Sequence, residues 1–240
     1  MCAALYAAIL IPFKIVPLIP GITEFRPANA VPVVCSFLFG PAAAWGAAFG
    51  NLIGDFFGGL GPGDVFGFLG NLLYAMVPYA VWEALTERAP VPRGVGSSLA
   101  LAAVIALAAM LCATVVGWGL NLLRFHAFAV LGSVVLVNNL VVALALGPFL
   151  LAVLHPRVRR AHLLYRDLLG PRPRPPRWRA LLGTALVIAG TVGAFGAGQL
   201  ISTGQWVAPW APWSTPSRWL EIGVGLVPLL ALVVVGLALL

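Results

Sequence analysis

Charge is what this chain has least of. Only 9% of its 240 residues are Asp, Glu, Lys or Arg, against about a quarter in a soluble domain. So few charges cannot solvate a folded surface. With 61% hydrophobic residues and a mean hydropathy of +1.02, the solvent is lipid rather than water. Cysteine is scarce too. Cys2, Cys35 and Cys112 lie inside apolar runs with no CxxC or Cys/His spacing, which argues for small core residues and against a disulfide framework or a metal site. Catalytic signatures are missing: there is no HExxH and no GxSxG. The GGLGPGD stretch at 58–64 lacks the GK[ST] ending of a phosphate loop and reads as a turn, so the chain has no means of hydrolysing ATP. No cofactor is implied, and the chain is not read as an enzyme. A basic n-region is also missing before the apolar residues that begin at position 2, so the first stretch is expected to be a retained helix.

What the chain does have is long apolar runs. A span needs about 20 mostly apolar residues. The pattern predicts an all-α polytopic membrane protein of about eight spans, at 1–16, 27–39, 41–57, 65–87, 97–118, 127–154, 180–200 and 219–240. The second and third are joined only by Gly40-Pro41, which predicts a tight membrane hairpin. Glycines 46, 50, 54 and 58 line one face of the third span and suit close helix packing within the subunit. Three regions follow: a six-helix core at 1–154, a basic linker at 155–179 and a C-terminal transmembrane hairpin at 180–240.

The linker sets orientation. From His155 to Arg179 it carries eight arginines and one acid, and such segments stay cytoplasmic. Arg88 and Arg93 in the 88–97 linker fall on the same side by alternation. Both termini are then expected in the cytoplasm, with the loops at 17–26, 58–64, 119–126 and 201–218 outside. The last of these ends in a tryptophan-rich stretch that reads as an interfacial belt. Most of the net charge of +7 sits in the linker. Topology and anionic head groups account for it, without nucleic acid.

Polar residues in hydrocarbon are costly and usually face a cavity, a partner or water. Here they favour the outer half: Lys14, Glu24, Arg26, Asn29, Asn51, Asp55, Asp64, Asn71, Tyr74, Asn121, Arg124 and His126, with Asn138 and Asn139 near mid-span. Together they predict a pocket open to the outside. Duller readings stand beside that one. Lys14 can snorkel to the head groups, Asp55 can pair with Arg26 or Arg124, and the asparagines can hydrogen-bond between helices.

Residues Thr23 to Trp82 carry a resemblance. Arg26-Pro27-Ala28-Asn29-Ala30-Val31-Pro32, Leu38-Phe39-Gly40-Pro41 and Gly50-Asn51-Leu52-Ile53-Gly54-Asp55 resemble the substrate-binding membrane subunits, or S components, of energy-coupling factor vitamin transporters. The similarity is nearest to the queuosine-precursor-like branch. It implies a six-helix core with an outward pocket in a bacterial plasma membrane, and a small water-soluble vitamin-like ligand. It also implies a transmembrane coupling subunit and two cytoplasmic ATPases as partners. The Ala-xxx-Ala face that meets the coupling subunit matches Ala3/Ala7 or Ala4/Ala8. The 180–240 hairpin departs from the six-span pattern.

The preferred reading is therefore a membrane subunit that binds a small micronutrient. Glu24, Arg26, Asn29, Asn51, Asp55, Asn71 and Arg124 would supply polar contacts, with Tyr74 or Trp118 stacking on a flat ring. A stand-alone secondary transporter or channel is the alternative. Behind it stand a membrane enzyme using Asp55, Asp64 and His126, and a purely structural subunit. Pocket composition alone does not select the ligand.

Overall fold

Proline and glycine set where the helices break. In the computed structural model, residues 1–14, 17–19, 23–24, 26–170, 174–211 and 218–240 are described, the two short strands by backbone alone. Helix α1 runs Cys2–Phe13. A short antiparallel ladder follows, β1 Pro17–Ile19 with β2 Thr23–Glu24, and a 3-10 turn at Pro27–Asn29 leads into α2, Ala30–Phe39. Gly40 ends α2 at φ 56°, a left-handed conformation that favours glycine. Pro41 then starts α3, Pro41–Phe56, at the position where a missing N–H costs nothing. The expected hairpin forms there.

Helices α4 (Asp64–Leu85), α5 (Val95–Leu122) and α6 (Phe128–Arg160) complete the core. Pro78 inside α4 removes a donor and disturbs the bonds beside it. Ser36 of α2 makes good the loss: its hydroxyl donates to Ala75 O at 2.5 Å and accepts from Tyr79 N at 3.0 Å. Helix α6 outruns the span expected at 127–154 and carries Arg157, Arg159 and Arg160 on its last turn. Cations there complement the helix dipole. The linker is not featureless either, since it holds the short helix α7, Tyr165–Leu169.

Beyond it, α8 (Arg177–Ser202) pairs with α9 (Arg218–Gly225) and α10 (Val227–Leu239). The expected last span is thus two helices, with Pro228 just past the break. Their packing on α8 is close. A Cβ on Gly190 would sit 2.6 Å from Leu229 O, and one on Gly236 2.7 Å from Gly183 O. Among the described residues, five helical segments are long and apolar enough to cross a membrane: 64–85, 95–122, 128–169, 177–202 and 218–239. The fold is a polytopic all-α membrane protein. Its main apolar core joins α2, α4, α5 and α6, with Val187 of α8 and Val233 of α10 against it.

Candidate functional site

The site begins with the glycine face of α3. Side chains four apart lie above one another on a helix, and α1 offers Cys2, Tyr6, Leu10 and Lys14 at that spacing. Each meets a glycine of α3 or of the turn just after it. A Cβ on Gly46 would lie 2.7 Å from Cys2 Cβ, on Gly50 2.8 Å from Tyr6 Cβ, and on Gly58 2.8 Å from Lys14 Nζ, while one on Gly54 would overlap Leu10 Cδ2. The stripe is a packing face, and its effect is to press Tyr6 and Lys14 into the interior.

Lys14 therefore does not snorkel. Its ammonium donates to Asp55 Oδ1 at 2.9 Å, with the two side chains only 13% and 10% exposed. Asp55, expected to pair with Arg26 or Arg124, has Lys14 as its ion-pair partner because Gly58 and Gly54 leave room for α1. Its other oxygen accepts from Asn51 Nδ2 at 2.5 Å. That bond orients the Asn51 amide and leaves Asn51 Oδ1 buried without a hydrogen-bond partner among the described residues.

A second chain of bonds runs beside the first. Tyr6 shares its phenolic proton between Asn71 Oδ1 at 3.2 Å and Asn29 Oδ1 at 3.4 Å. Asn29 Nδ2 donates to Asn139 Oδ1 at 2.6 Å, and Asn71 Nδ2 to Gly67 O at 2.9 Å. Three helices, α1, α4 and α6, and the 3-10 turn are thereby tied around one point, chiefly by neutral amides. Buried polar groups held this way cost little and stay rigid.

These groups enclose a cavity of about 280 Å³ at the end of the bundle away from the basic linker. Its polar lining is Tyr6, Arg26, Asn29, Asn51, Asp55 and Asn71, joined by Asn138 and Asn139 of α6. Its apolar lining is Val116 and Leu120 of α5, Leu131 and Val135 of α6, and Phe125 from between the two helices. The 59–64 turn borders the cavity, and Asp64 holds it by accepting from Gly61 N at 2.7 Å. Gly67 also lines it; a Cβ there would stand 3.0 Å from Asn51 Nδ2, so its absence keeps the amide accessible. Small-molecule pockets are mostly apolar with a few placed polar groups; this one is more polar than that, with more polar than apolar side chains in its lining.

Of the residues singled out in the sequence, Arg26, Asn29, Asn51, Asp55 and Asn71 meet at this cavity. The Glu24 side chain lies outside the described residues, as does Trp213 of the aromatic loop. Tyr74, Trp118 and Arg124 stand elsewhere. Tyr74 is fully buried beneath the site, donating to Asn139 O at 3.3 Å. Trp118 donates its indole N–H to Gly223 O at 3.0 Å, and Arg124 covers the Trp219 ring at 4.1 Å. Asn121 joins them by donating to Trp219 O. All three of these α5-end residues anchor α9, a contact with a part of the chain remote in sequence. On α1, Ala7 is buried, Ala3 is half-buried against α3, and Ala4 and Ala8 face outward. Sequence reasoning missed Tyr6 altogether, although its four-residue register with Cys2, Leu10 and Lys14 opposite the glycines was visible. Among the described residues, no cluster of His, Cys, Asp and Glu is placed to hold a metal.

Compared with known proteins, the chain matches one family model, described as QueT transporter, over residues 1–156. No curated protein and no solved structure matches it. The family match stops where the basic linker begins, so the C-terminal hairpin lies beyond it.

Proposed function

The chain belongs to the QueT transporter family, and from that premise we propose that it is the ligand-capturing subunit of an uptake system for a small, flat, water-soluble heterocycle. It is a multi-pass membrane transporter component, not an enzyme. A queuosine precursor, the ligand its family resemblance implies, is the first candidate. The observation that carries this reading is the mixed lining of the cavity. Amides from the 3-10 turn, α3, α4 and α6 converge on it beside the apolar side chains of α5 and α6. Such a lining suits a ring with a hydrogen-bonding edge and an apolar face. A volume of about 280 Å³ lies at the small end of the roughly 300–1,000 Å³ typical of ligand sites. That favours a compact one- or two-ring molecule over a cobamide.

Orientation completes the proposal. The arginine-rich end faces the cytoplasm of a bacterial cell, both termini lie there, and the cavity opens outward. Beneath the cavity, Tyr74, Val77, Leu38 and Val34 form a tightly packed apolar core. A ligand held above it reaches the cytoplasm only if the subunit itself moves. Having no ATP-hydrolysing motif, the chain takes its drive from partners: a transmembrane coupling subunit and two cytoplasmic ATPases. The outward Ala4/Ala8 face of α1 is the small-residue surface offered to that coupling subunit.

Calorimetric titration of the purified full chain with a queuosine precursor tests the site. Saturable one-to-one binding is expected, with Arg26→Ala and Asn51→Leu each weakening it more than tenfold. Unchanged affinity in both variants refutes the site assignment.

A further inference from the structure

A second polar cavity, of about 240 Å³, lies at the opposite end of α6. Twenty residues separate Asn139 from Arg159, about 30 Å along a helix, so the two cavities are independent. This one is bounded by the ends of α2, α4 and α6 and closed by α7, with Tyr79 and Tyr165 packed edge to face at its side.

Three acids, Glu83, Glu87 and Asp167, and three arginines, Arg88, Arg159 and Arg166, line it. Glu83 pairs with Arg166, Glu87 with Arg174 at 2.5 Å, and Asp167 accepts from Leu164 N at 3.2 Å. Arg88 and Arg159, both exposed, line the same cavity, and neither guanidinium has a hydrogen bond or ion pair among the described residues. His155 lines it too, one turn before Arg159 on the same face of α6. It is only 6% exposed, borders the cavity, and has no hydrogen-bond partner among the described residues. Its ring nitrogens are unpartnered but not fully enclosed, so they are reachable from the cavity.

Depth adds the next constraint. Helix α6 has 33 residues, about 50 Å of helix, while the hydrocarbon is about 30 Å thick and the bilayer with head groups about 40–45 Å. With Phe128 at the outer edge of one head-group layer, His155 lies about 40 Å along the helix, level with the opposite head groups. Arg159, about 46 Å along, lies at their aqueous edge. We infer that His155, Arg88 and Arg159 form an anion site that takes a phosphate group, presented by an anionic lipid head group or by free phosphate. Two guanidiniums supply forked donors at the rim, and the imidazole supplies a donor at the floor. Arg166, Arg174 and the acids they bind hold α7 in place as the site's lid.

The test uses the full chain in two arms. In nanodiscs of phosphatidylcholine with a minority of phosphatidylglycerol, native mass spectrometry counts retained lipids. In detergent, calorimetry measures inorganic phosphate against chloride. Wild-type protein is expected to retain phosphatidylglycerol selectively, to bind phosphate over chloride, or both. The arm that responds identifies the source. Arg88→Gln with Arg159→Gln is expected to reduce that binding at least about tenfold, and His155→Phe to reduce it while keeping ring volume. Arg160→Gln removes the same charge from the same helix outside the cavity and is expected to leave binding intact. Equal losses in Arg160→Gln and the double variant would reduce the effect to surface charge and overturn the inference. Failure of both probes to bind the wild type would overturn it as well.

Discussion

Breaking the Lys14–Asp55 pair offers the sharpest energetic test of how α1 is seated. At 2.9 Å and with each side chain roughly nine-tenths buried, the gross attraction at an effective dielectric of about 20 is about 6 kcal/mol. Desolvation of both ions consumes much of that, so the intact pair adds little net stability. Losing one partner is a different matter, because the survivor stays buried and uncompensated, at about 3–5 kcal/mol. For a chain of this size, 1 kcal/mol moves Tm by about 2–4 °C. Lys14→Met and Asp55→Asn are each expected to lower Tm in detergent by about 6–20 °C. The double variant should be no worse than the poorer single, giving a coupling of about 2 kcal/mol or more. Asn51 Nδ2 still finds an acceptor in Asp55→Asn, so that variant should be the milder of the two. Additive losses, or singles within 2 °C of wild type, would show that the ions do not depend on each other and refute the reasoning.

The other predictions concern the cavity walls and the hairpin. Tyr6→Phe removes the one proton shared by Asn29 and Asn71 and is expected to cost about 1–3 kcal/mol of stability, read by thermal unfolding, together with a loss of ligand affinity. Gly50→Ala places a methyl 2.9 Å from Ala3 O; the two helices must part, at about 1–3 kcal/mol, and ligand affinity measured by titration should fall as Tyr6 shifts. Trp118→Phe loses the bond to Gly223 O and should lower Tm while leaving ligand affinity within about twofold, since the ring lies outside the cavity; a large affinity loss would return Trp118 to the site. Gly190→Ala would drive a methyl into Leu229 O and is expected to loosen α8 from α10, exposing the hairpin to limited proteolysis while ligand binding persists.

Most of the helix plan was legible because hydrocarbon imposes a length and an apolar pattern that sequence displays directly. The Gly40-Pro41 break and the glycine stripe of α3 were equally plain, since each is a local requirement of backbone geometry. The site was legible where polarity alone decides. Arg26, Asn29, Asn51, Asp55 and Asn71 stood out as costly residues in hydrocarbon, and all of them border the cavity. Pairing was not legible. That Asp55 meets Lys14, and that Trp118, Asn121 and Arg124 hold α9, depends on which helices become neighbours. Nothing local in the chain records that. Tyr6 was overlooked because an apolar helix hides a single hydroxyl well. Tyr74 looked like a stacking ring, yet its hydroxyl is spent on Asn139 O and its ring fills the core.

Native mass spectrometry of the gently extracted full chain, alongside Asn51→Leu, tests the central claim most directly. The wild type is expected to carry one small heterocycle per chain, or to take one up from a queuosine-precursor solution, while the variant carries none. A wild type that stays empty under both conditions, or an adduct equally abundant in the variant, would contradict the account.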